Sequence, residues 1–368
     1  MDKALLDIYT DYLISSFGQT TATGLSTLLG GTISHDRVTR FLAKEDFTSA
    51  DLWQLVKPLA RKVQDEDAVL IVDDSIEAKP YTDESALICW HWDHSVGHSV
   101  KGINLLSVLY YSQGMSLPVA FELVKKTLWV TDKKTGKPKR ACPLTKNDYF
   151  RQMVQTCLEN QLPFRYVLAD LWFASAQNMV FVKGTHGKDF IFPLKENRKV
   201  SLCQEAQRSG SSVPLVPVSS LELEVNMVLE VWLEDVGFAL LLCKQVFTNK
   251  DGSQGVVYLV SSDTTLSAQE MATIYQKRWS ATCGKWAGKV EEYHKSVKSN
   301  ACFAKSPTKT LRTQSNHLFA CLWAYVKLEK LRVQTRMKHF ALKANLYQAA
   351  LASAFQQLQS LRANCAAA

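Results

Sequence analysis

The feature that most constrains this chain is a short run, Ala68-Val69-Leu70-Ile71-Val72, closed by Asp73-Asp74-Ser75. It is apolar without alternation, rich in β-branched residues and bounded by acids. Such a run reads as a strand covered on both faces, and that needs helices packed on both sides of a sheet. An α/β fold with a mixed sheet is therefore expected. Ligands in open α/β sheets sit at strand C-termini, so Asp73 and Asp74 are the first candidates for chemistry. Buried carboxylates are costly without a cation or metal. A turn or helix cap would use the same residues.

The flanking pattern extends this core. Residues 104–111 and 117–124, separated by Ser-Gln-Gly-Met-Ser, predict a β-hairpin. Residues 148–160 predict an amphipathic helix, 164–169 a strand ending at Asp170, 175–184 a helix and 190–193 a short strand. An acid closing each of two buried strands is less common than one alone.

Residues 1–65 read as a helical domain. Helices are expected over 4–17, 21–29, 34–42 and 51–63, with a Gly30-Gly31-Thr32 turn and Ser34 as an N-cap. His35, Arg37 and Arg40 fall on or near the exposed side of the third helix. A helix-turn-helix would lay that side in a DNA major groove, and a plain helical hairpin fits the same pattern. Residues 66–195 then form the first part of the core. Residues 196–262 form a β-rich insertion, with strands over 213–223, 227–233, 236–246 and 255–261 and a turn at 249–252. Residues 263–340 are a helical second part of the core, and 341–368 a C-terminal helical tail.

Composition narrows the class. With 46% hydrophobic and 21% charged residues the chain can bury a full core. Its longest apolar runs, 237–243 and 318–326, fall far short of the roughly 18–20 residues of a membrane span. The opening MDKALLDIYTDYL has no signal-peptide layout, and nine cysteines without a C-x-x-C pair suit reduced thiols, so a cytoplasmic location is expected. Forty-three Lys and Arg against thirty-five Asp and Glu leave a charge of +8. The excess clusters at 125–140, 277–309 and 327–343, near Trp129, Trp279 and Trp286. Cations beside aromatic rings suit a phosphate backbone and unstacked bases, although solvated basic faces look the same.

Glu291, with Glu292 beside it, supplies a third acid on a helix. Three carboxylates from separate elements can hold two hard divalent cations. Such a pair activates an oxygen nucleophile and stabilises the leaving oxygen in phosphodiester cleavage. Other candidates point elsewhere. His91, His94 and His98 would share a face only on a helix, and they precede a strand, so a structural role is expected over zinc. Trp172 could stack on a flipped base or fill the core. Ser75 and Cys89 have no histidine at a nucleophile spacing, and no G-x-x-x-x-G-K-[ST] loop exists to bind ATP.

Over residues 10–335 the chain resembles the DDE transposases of bacterial insertion sequences, in the branch with a β-rich insertion in an RNase H-like core. VDDSIEAKP is similar to the family's first-acid segment and ADLWFAS to its second. Tyr275-Gln-Lys-Arg278 and EEYHKSVK, from Glu291 to Lys298, resemble the two halves of the Tyr-Arg-Glu-Lys signature. The resemblance implies a catalytic, metal-binding triad of Asp74, Asp170 and Glu291, with Asp73 as the alternative first acid. It implies two Mg²⁺ or Mn²⁺ ions, and Tyr275, Arg278 and Lys298 on DNA phosphates. It also implies cut-and-paste transposition, terminal inverted repeats and target DNA as partners, a homodimer on DNA, and a place in a bacterial nucleoid.

The signature is interrupted. The family has three residues between Arg and Glu, and this chain has twelve between Arg278 and Glu291. Removing 280–288 restores the pattern. On an unbroken helix Arg278 and Glu291 would sit some 220° apart. The segment must leave the helix if the two are to meet, and Gly284 and Gly288 favour that. A catalytically impaired DNA-binding remnant is the main alternative, and a structure-selective nuclease on the same core is another.

Overall fold

The structure, a computed structural model, describes residues 1–94, 96–133, 135–203, 215–248, 252–278 and 288–366. Its helices are α1 (Lys3–Ser15), α2 (Ala22–Leu28), α3 (His35–Lys44), α4 (Ser49–Lys62), α5 (Lys146–Glu159), α6 (Ala176–Met179), α7 (Ala268–Gln276), α8 (Lys289–Asn300), α9 (Leu311–Thr335) and α10 (His339–Ala366). Its strands are β1 (Val69–Ala78), β2 (Cys89–Asp93), β3 (His98–Ser112), β4 (Met115–Leu123), β5 (Leu128–Thr131), β6 (Pro138–Ala141), β7 (Tyr166–Ala169), β8 (Asp189–Leu194), β9 (Lys199–Ser201), β10 (Val216–Pro217), β11 (Val228–Leu233), β12 (Leu240–Thr248) and β13 (Gln254–Ser261). The chain divides into two compact units. One holds Met1–Leu55, Glu77–Lys79 and Tyr293–Ala368, and the other Val56–Ile76 and Pro80–Glu292.

In the second unit the sheet runs β10-β9-β11-β12-β13-β8-β7-β1-β3-β2, with β4 also on β3. Its centre, β4-β3-β1-β7-β8, is the expected RNase H-like arrangement, with β1, β7 and β8 parallel. Val69, Leu70, Ile71 and Val72 are wholly buried, as their unbroken apolar run requires. The hairpin extends further than its apolar runs suggest. Ser112 still pairs with Met115, so the turn is only Gln113-Gly114, both with positive φ. The basic run folds back as a separate β5–β6 hairpin, where Arg140 lies 4.5 Å from the Trp129 ring.

The insertion continues the same sheet, because β13 pairs antiparallel with β8. Among the described residues, the strand expected over 213–223 is β10 followed by a 3₁₀ turn at Val218–Ser220. Pro217 has no N–H to continue a ladder there. The short β9 lacks an apolar pattern and had no sequence signal. The helix expected over 175–184 is α6 followed by a π-type turn, Val180–Thr185. Most of the expected 249–252 turn, together with Trp279 and Trp286, lies outside the described residues.

The other unit is helical. The helix–turn–helix outline is as expected, with Ser34 capping α3 and Gly30 and Gly31 at positive φ. α1 and α3 pack on α9. Asn316 of α9 binds three backbone groups: its amide accepts from Phe47 N at 2.9 Å and donates to Leu42 O at 2.8 Å and Glu45 O at 2.6 Å. The Tyr9 hydroxyl meets His317 Nδ1 at 2.9 Å, and burial pushes His317 down to about 4.

Candidate active site

Parallel pairing sets the geometry. Val72 of β1 stands opposite Ala169 of β7, so the next residues, Asp73 and Asp170, emerge side by side where β7 and its pairing with β1 end, although β1 itself runs on to Ala78 and not, as expected, only to Asp73-Asp74. Asp73 and Asp74 follow each other along an extended strand and point to opposite faces. Asp73 Oδ1 takes an ion pair from Arg278 Nη2 at 3.1 Å. Asp74 Oδ2 accepts from Lys146 Nζ at 2.7 Å and from Asn104 Nδ2 at 2.9 Å. Asp170 Oδ1 accepts from Trp172 N at 2.9 Å and opens a 3₁₀ turn, Leu171–Phe173.

Burial pushes the Asp170 carboxyl up to about 6, and the nearby Asp73 charge adds to this. Arg278 works the other way, and Asp74 raises it by less than Asp73 does. Of the two adjacent acids, Asp73 therefore acts more strongly on Asp170. Arg278 is 7% exposed. Burial opposes its charge, but Tyr275, Asp73, Asp170 and Glu291 together hold its proton more firmly than usual.

The signature residues Tyr275, on α7, and Arg278, just past its end, are buried. Tyr275 donates its hydroxyl to Ala169 O at 3.3 Å and meets Arg278 Nη1 at 3.4 Å. It braces the end of β7 just before Asp170. Across the interruption the chain comes back to where it left. Gly288 lies against the Arg278 carbonyl so closely that a Cβ there would overlap it, and the same Cβ would strike Glu291 Oε2. Arg278 and Glu291, thirteen apart in sequence, thus share one neighbourhood. Glu292 is exposed and pairs with Lys289 at 2.9 Å.

Lys298 lies on α8 seven residues beyond Glu291 and pairs with Glu77 at 3.6 Å. Trp172 is half exposed and so is not core packing. Arg37 and Arg40 are exposed on α3, and Arg37 contacts Asp2 at 3.3 Å. Sequence reasoning passed over Lys146 and Asn104, the partners of Asp74. The one available signal was Asn104, a lone amide heading the apolar run Leu105-Leu106.

The histidines separate as strand geometry requires. His91 is buried against Cys89 Sγ at 3.3 Å, and burial, with Lys126 and Lys146 nearby, pushes it down to about 3. His94 and His98 are exposed. No three His, Cys, Asp or Glu side chains among the described residues stand together as a metal-ligand set.

Residues 2–212 match the family described as DDE superfamily endonuclease, and residues 130–327 match the transposase DDE domain. The chain belongs to the DDE transposases. Among solved structures, this DDE transposase aligns with endonuclease V from Bacillus subtilis at 9% identity, over 65% of this chain and 86% of the other, with a TM-score of 0.26. It aligns with the Drosophila P element transposase strand transfer complex at 10% identity, over 90% and 81%, with a TM-score of 0.26. No curated protein matches it significantly. No helix among the described residues of this DDE transposase is long and apolar enough to cross a membrane.

Proposed function

We propose that this DDE transposase performs cut-and-paste transposition by metal-assisted phosphodiester hydrolysis and strand transfer, on the terminal inverted repeats of a bacterial insertion sequence and on target DNA. The observation that carries this reading is the meeting of Asp73 and Asp170 where the β1–β7 pairing ends, with the Asp170 carboxyl pushed up to about 6 by burial and by its neighbour. Such acids gain most when a divalent cation replaces the missing solvation.

The donor set is all carboxylate oxygen, which fits Mg²⁺ or Mn²⁺. Asp170 and Glu291 would hold the two ions with a first acid from β1. Asp74 is that acid by the resemblance, and Asp73 is favoured by its stronger action on Asp170. Bound ions would supply Lewis acidity and a nucleophilic oxygen at neutral pH. The chain's own residues do the rest. Arg278 offsets the acids' charge, Tyr275 fixes the turn that carries Asp170, and Lys146 neutralises Asp74. On substrate, Arg278, Tyr275 and Lys298 would face phosphates near the cut end, while Arg37 and Arg40 on the capped α3 would meet DNA of the element ends. Two ends held together call for a homodimer, and the exposed apolar residues of α10 offer a surface for it. The setting would be a bacterial cytoplasm, on the nucleoid.

Asp170→Asn tests the reading. The variant should bind end DNA as the parent does and lose Mg²⁺-dependent nicking by at least about a thousandfold. Nicking at the parent rate would overturn the assignment of Asp170. One observation favours an impaired remnant, namely that the acids do not stand as a ligand set. Nicking by a 280–288 deletion beside a silent full-length chain would support that second reading.

A further inference from the structure

α8 carries Glu291 and Lys298, yet it is not a continuation of α7, which ends at Gln276 while α8 starts at Lys289. Beyond the Gly288 contact, its register is set by what packs on it. Glu291 and Lys298 share a face. Ser296 lies about 140° round the helix from the first and about 160° from the second, on the opposite side. It is 2% exposed and belongs to a polar cluster that the proposed chemistry does not use.

Ser296 Oγ meets His339 Nδ1 at 2.8 Å and accepts from Asn300 Nδ2 at 3.1 Å. On the other side of the ring, His339 Nε2 stands 3.0 Å from Glu329 Oε2, too bent for a hydrogen bond but close enough for attraction. A carboxylate only accepts, so the ring hydrogen belongs on Nε2, and Nδ1 takes the Ser296 hydroxyl proton. Arg332 donates to both Glu329 oxygens, at 2.8 and 2.9 Å. Asn300, Glu329 and His339 are all buried. Rings close the cluster: Tyr325 lies 5.2 Å from His339 at 73°, and Tyr293 lies 4.9 Å from Tyr325 at 90°.

Three helices thus meet at one histidine. α8 contributes Ser296 and Asn300, α9 contributes Glu329 and Arg332, and His339 is the first residue of α10. The sequence of contacts, serine to histidine to carboxylate, is that of an activated nucleophile, but a buried hydroxyl reaches no substrate. The role left to it is positional. Apolar helix faces can slide past one another at small cost, whereas a satisfied buried polar network holds one arrangement.

We propose that His339 is a positioning residue, which ties the Ser296 side of α8 to α9 and so fixes where α8 presents Glu291 and Lys298. The inference rests on the reading of those two residues as a metal-holding acid and a phosphate-facing cation. It matters for rate because a displacement of about 1 Å at a reacting group can cost about a hundredfold.

The test uses the full chain and two replacements of one residue. His339→Phe keeps a ring against Tyr325 but gives Ser296 no acceptor, whereas His339→Asn returns one near the place of Nδ1. Each is compared with the parent, at a temperature where circular dichroism shows all of them folded, for nicking of end DNA across a Mg²⁺ titration, for DNA affinity in EDTA, and for hydrogen exchange over 289–300. His339→Phe should bind DNA as the parent does and nick at least about tenfold more slowly at saturating DNA and Mg²⁺. Its exchange over 289–300 should be faster. His339→Asn should recover most of the rate and of the protection. Ser296→Ala should match His339→Phe, and the double variant should be no slower than either alone, because both break one link. Parental nicking by His339→Phe would overturn the proposal, and so would unchanged exchange over 289–300. Equal loss in the Asn and Phe variants would leave packing alone as the cause and overturn it too. A parent chain that nicks no DNA with Mg²⁺ or Mn²⁺ would instead remove the reading of an active enzyme, and this proposal with it.

Discussion

At the scale of single residues, Asp73 and Asp170 stand close enough to raise each other's cost of charge, and Arg278 offsets it. In the unfolded chain Asp170 titrates at the ordinary carboxylate value of 3.8, and in the fold at about 6. Between these values the folded state keeps a proton that the unfolded state has lost, so stability falls as pH rises from about 4 to 6 and stays lower above that. Asp170→Asn removes this loss. Without divalent metal it should be more stable than the parent at pH 7 by on the order of 2 kcal/mol, and the gain should vanish near pH 4. Urea melts of both proteins at the two pH values check this, and a gain at pH 4 equal to that at pH 7 would contradict it. Added Mg²⁺ should stabilise the parent and narrow the gap. Arg278→Met works in the opposite direction. It removes the buried guanidinium that pairs with Asp73 and should cost about 3 kcal/mol at pH 7. The loss should shrink toward pH 4 as the Asp170 carboxyl takes its proton. A midpoint unchanged from the parent at pH 7 would show that the ion pair contributes nothing.

At the scale of elements, the interruption in the signature is decided at its two ends. α7 stops at Gln276 and α8 starts at Lys289, with Gly288 seated against the Arg278 carbonyl. No residue with a Cβ fits there unless the start of α8 moves. Gly288→Ala should therefore cost about 1–3 kcal/mol through overpacking, and it should displace Glu291, whose Oε2 the new methyl would also strike. Thermal melting and metal-dependent nicking read the two effects, and a variant with parental stability and rate would show that the contact yields easily. These elements also mark how far the sequence was legible. The apolar first half of β1, the hairpin, the Ser34-capped α3 and the amphipathic α5 could be read because their signals are local: an apolar run, a Gly-bearing turn, a Ser cap, a helical spacing; the continuation of β1 through Asp73 and Asp74 to Ala78 could not. β2 and β9 could not, because short strands are held by their neighbours in the sheet and not by their own pattern. The partners of Asp74 lay out of reach for the same reason. Lys146 looks like any first-turn lysine until β1 and α5 are brought together. The signature acids and basic residues were recognisable as a pattern, but the burial of Tyr275 and Arg278 follows from packing that no spacing states.

At the scale of the whole molecule, the feature that still asks for a partner is α10. A 28-residue helix is about 42 Å long. Tyr347, Leu351, Phe355, Leu358 and Leu361 are all exposed, and at 100° per residue they fall within about 60° either side of one line along it. From 344 to 364 the only charged residue is Arg362. A surface helix is normally charged on its outer face, so this one matches an interface better than water. Its first turns are anchored, since Lys343 donates to Ile14 O and Ser16 O at 2.5 Å each and the Tyr347 ring meets Phe17 at 5.1 Å. An anchored stem with a neutral apolar stripe has no charge pattern to select a different sequence, and its own image in a second copy presents the same spacing of large and small residues. Side chains of this size leave on the order of 100 Å² each outside, so two such stripes come near the lower end of a stable interface. Leu351→Glu combined with Leu358→Glu should turn a dimer into a monomer in sedimentation at micromolar concentration. The melting temperature of each chain should hold, because both residues already face solvent in the single chain. The parent sedimenting as a monomer, both alone and with end DNA, would mean that this stripe does not join two copies, and the synapsis proposed for the enzyme would need another surface.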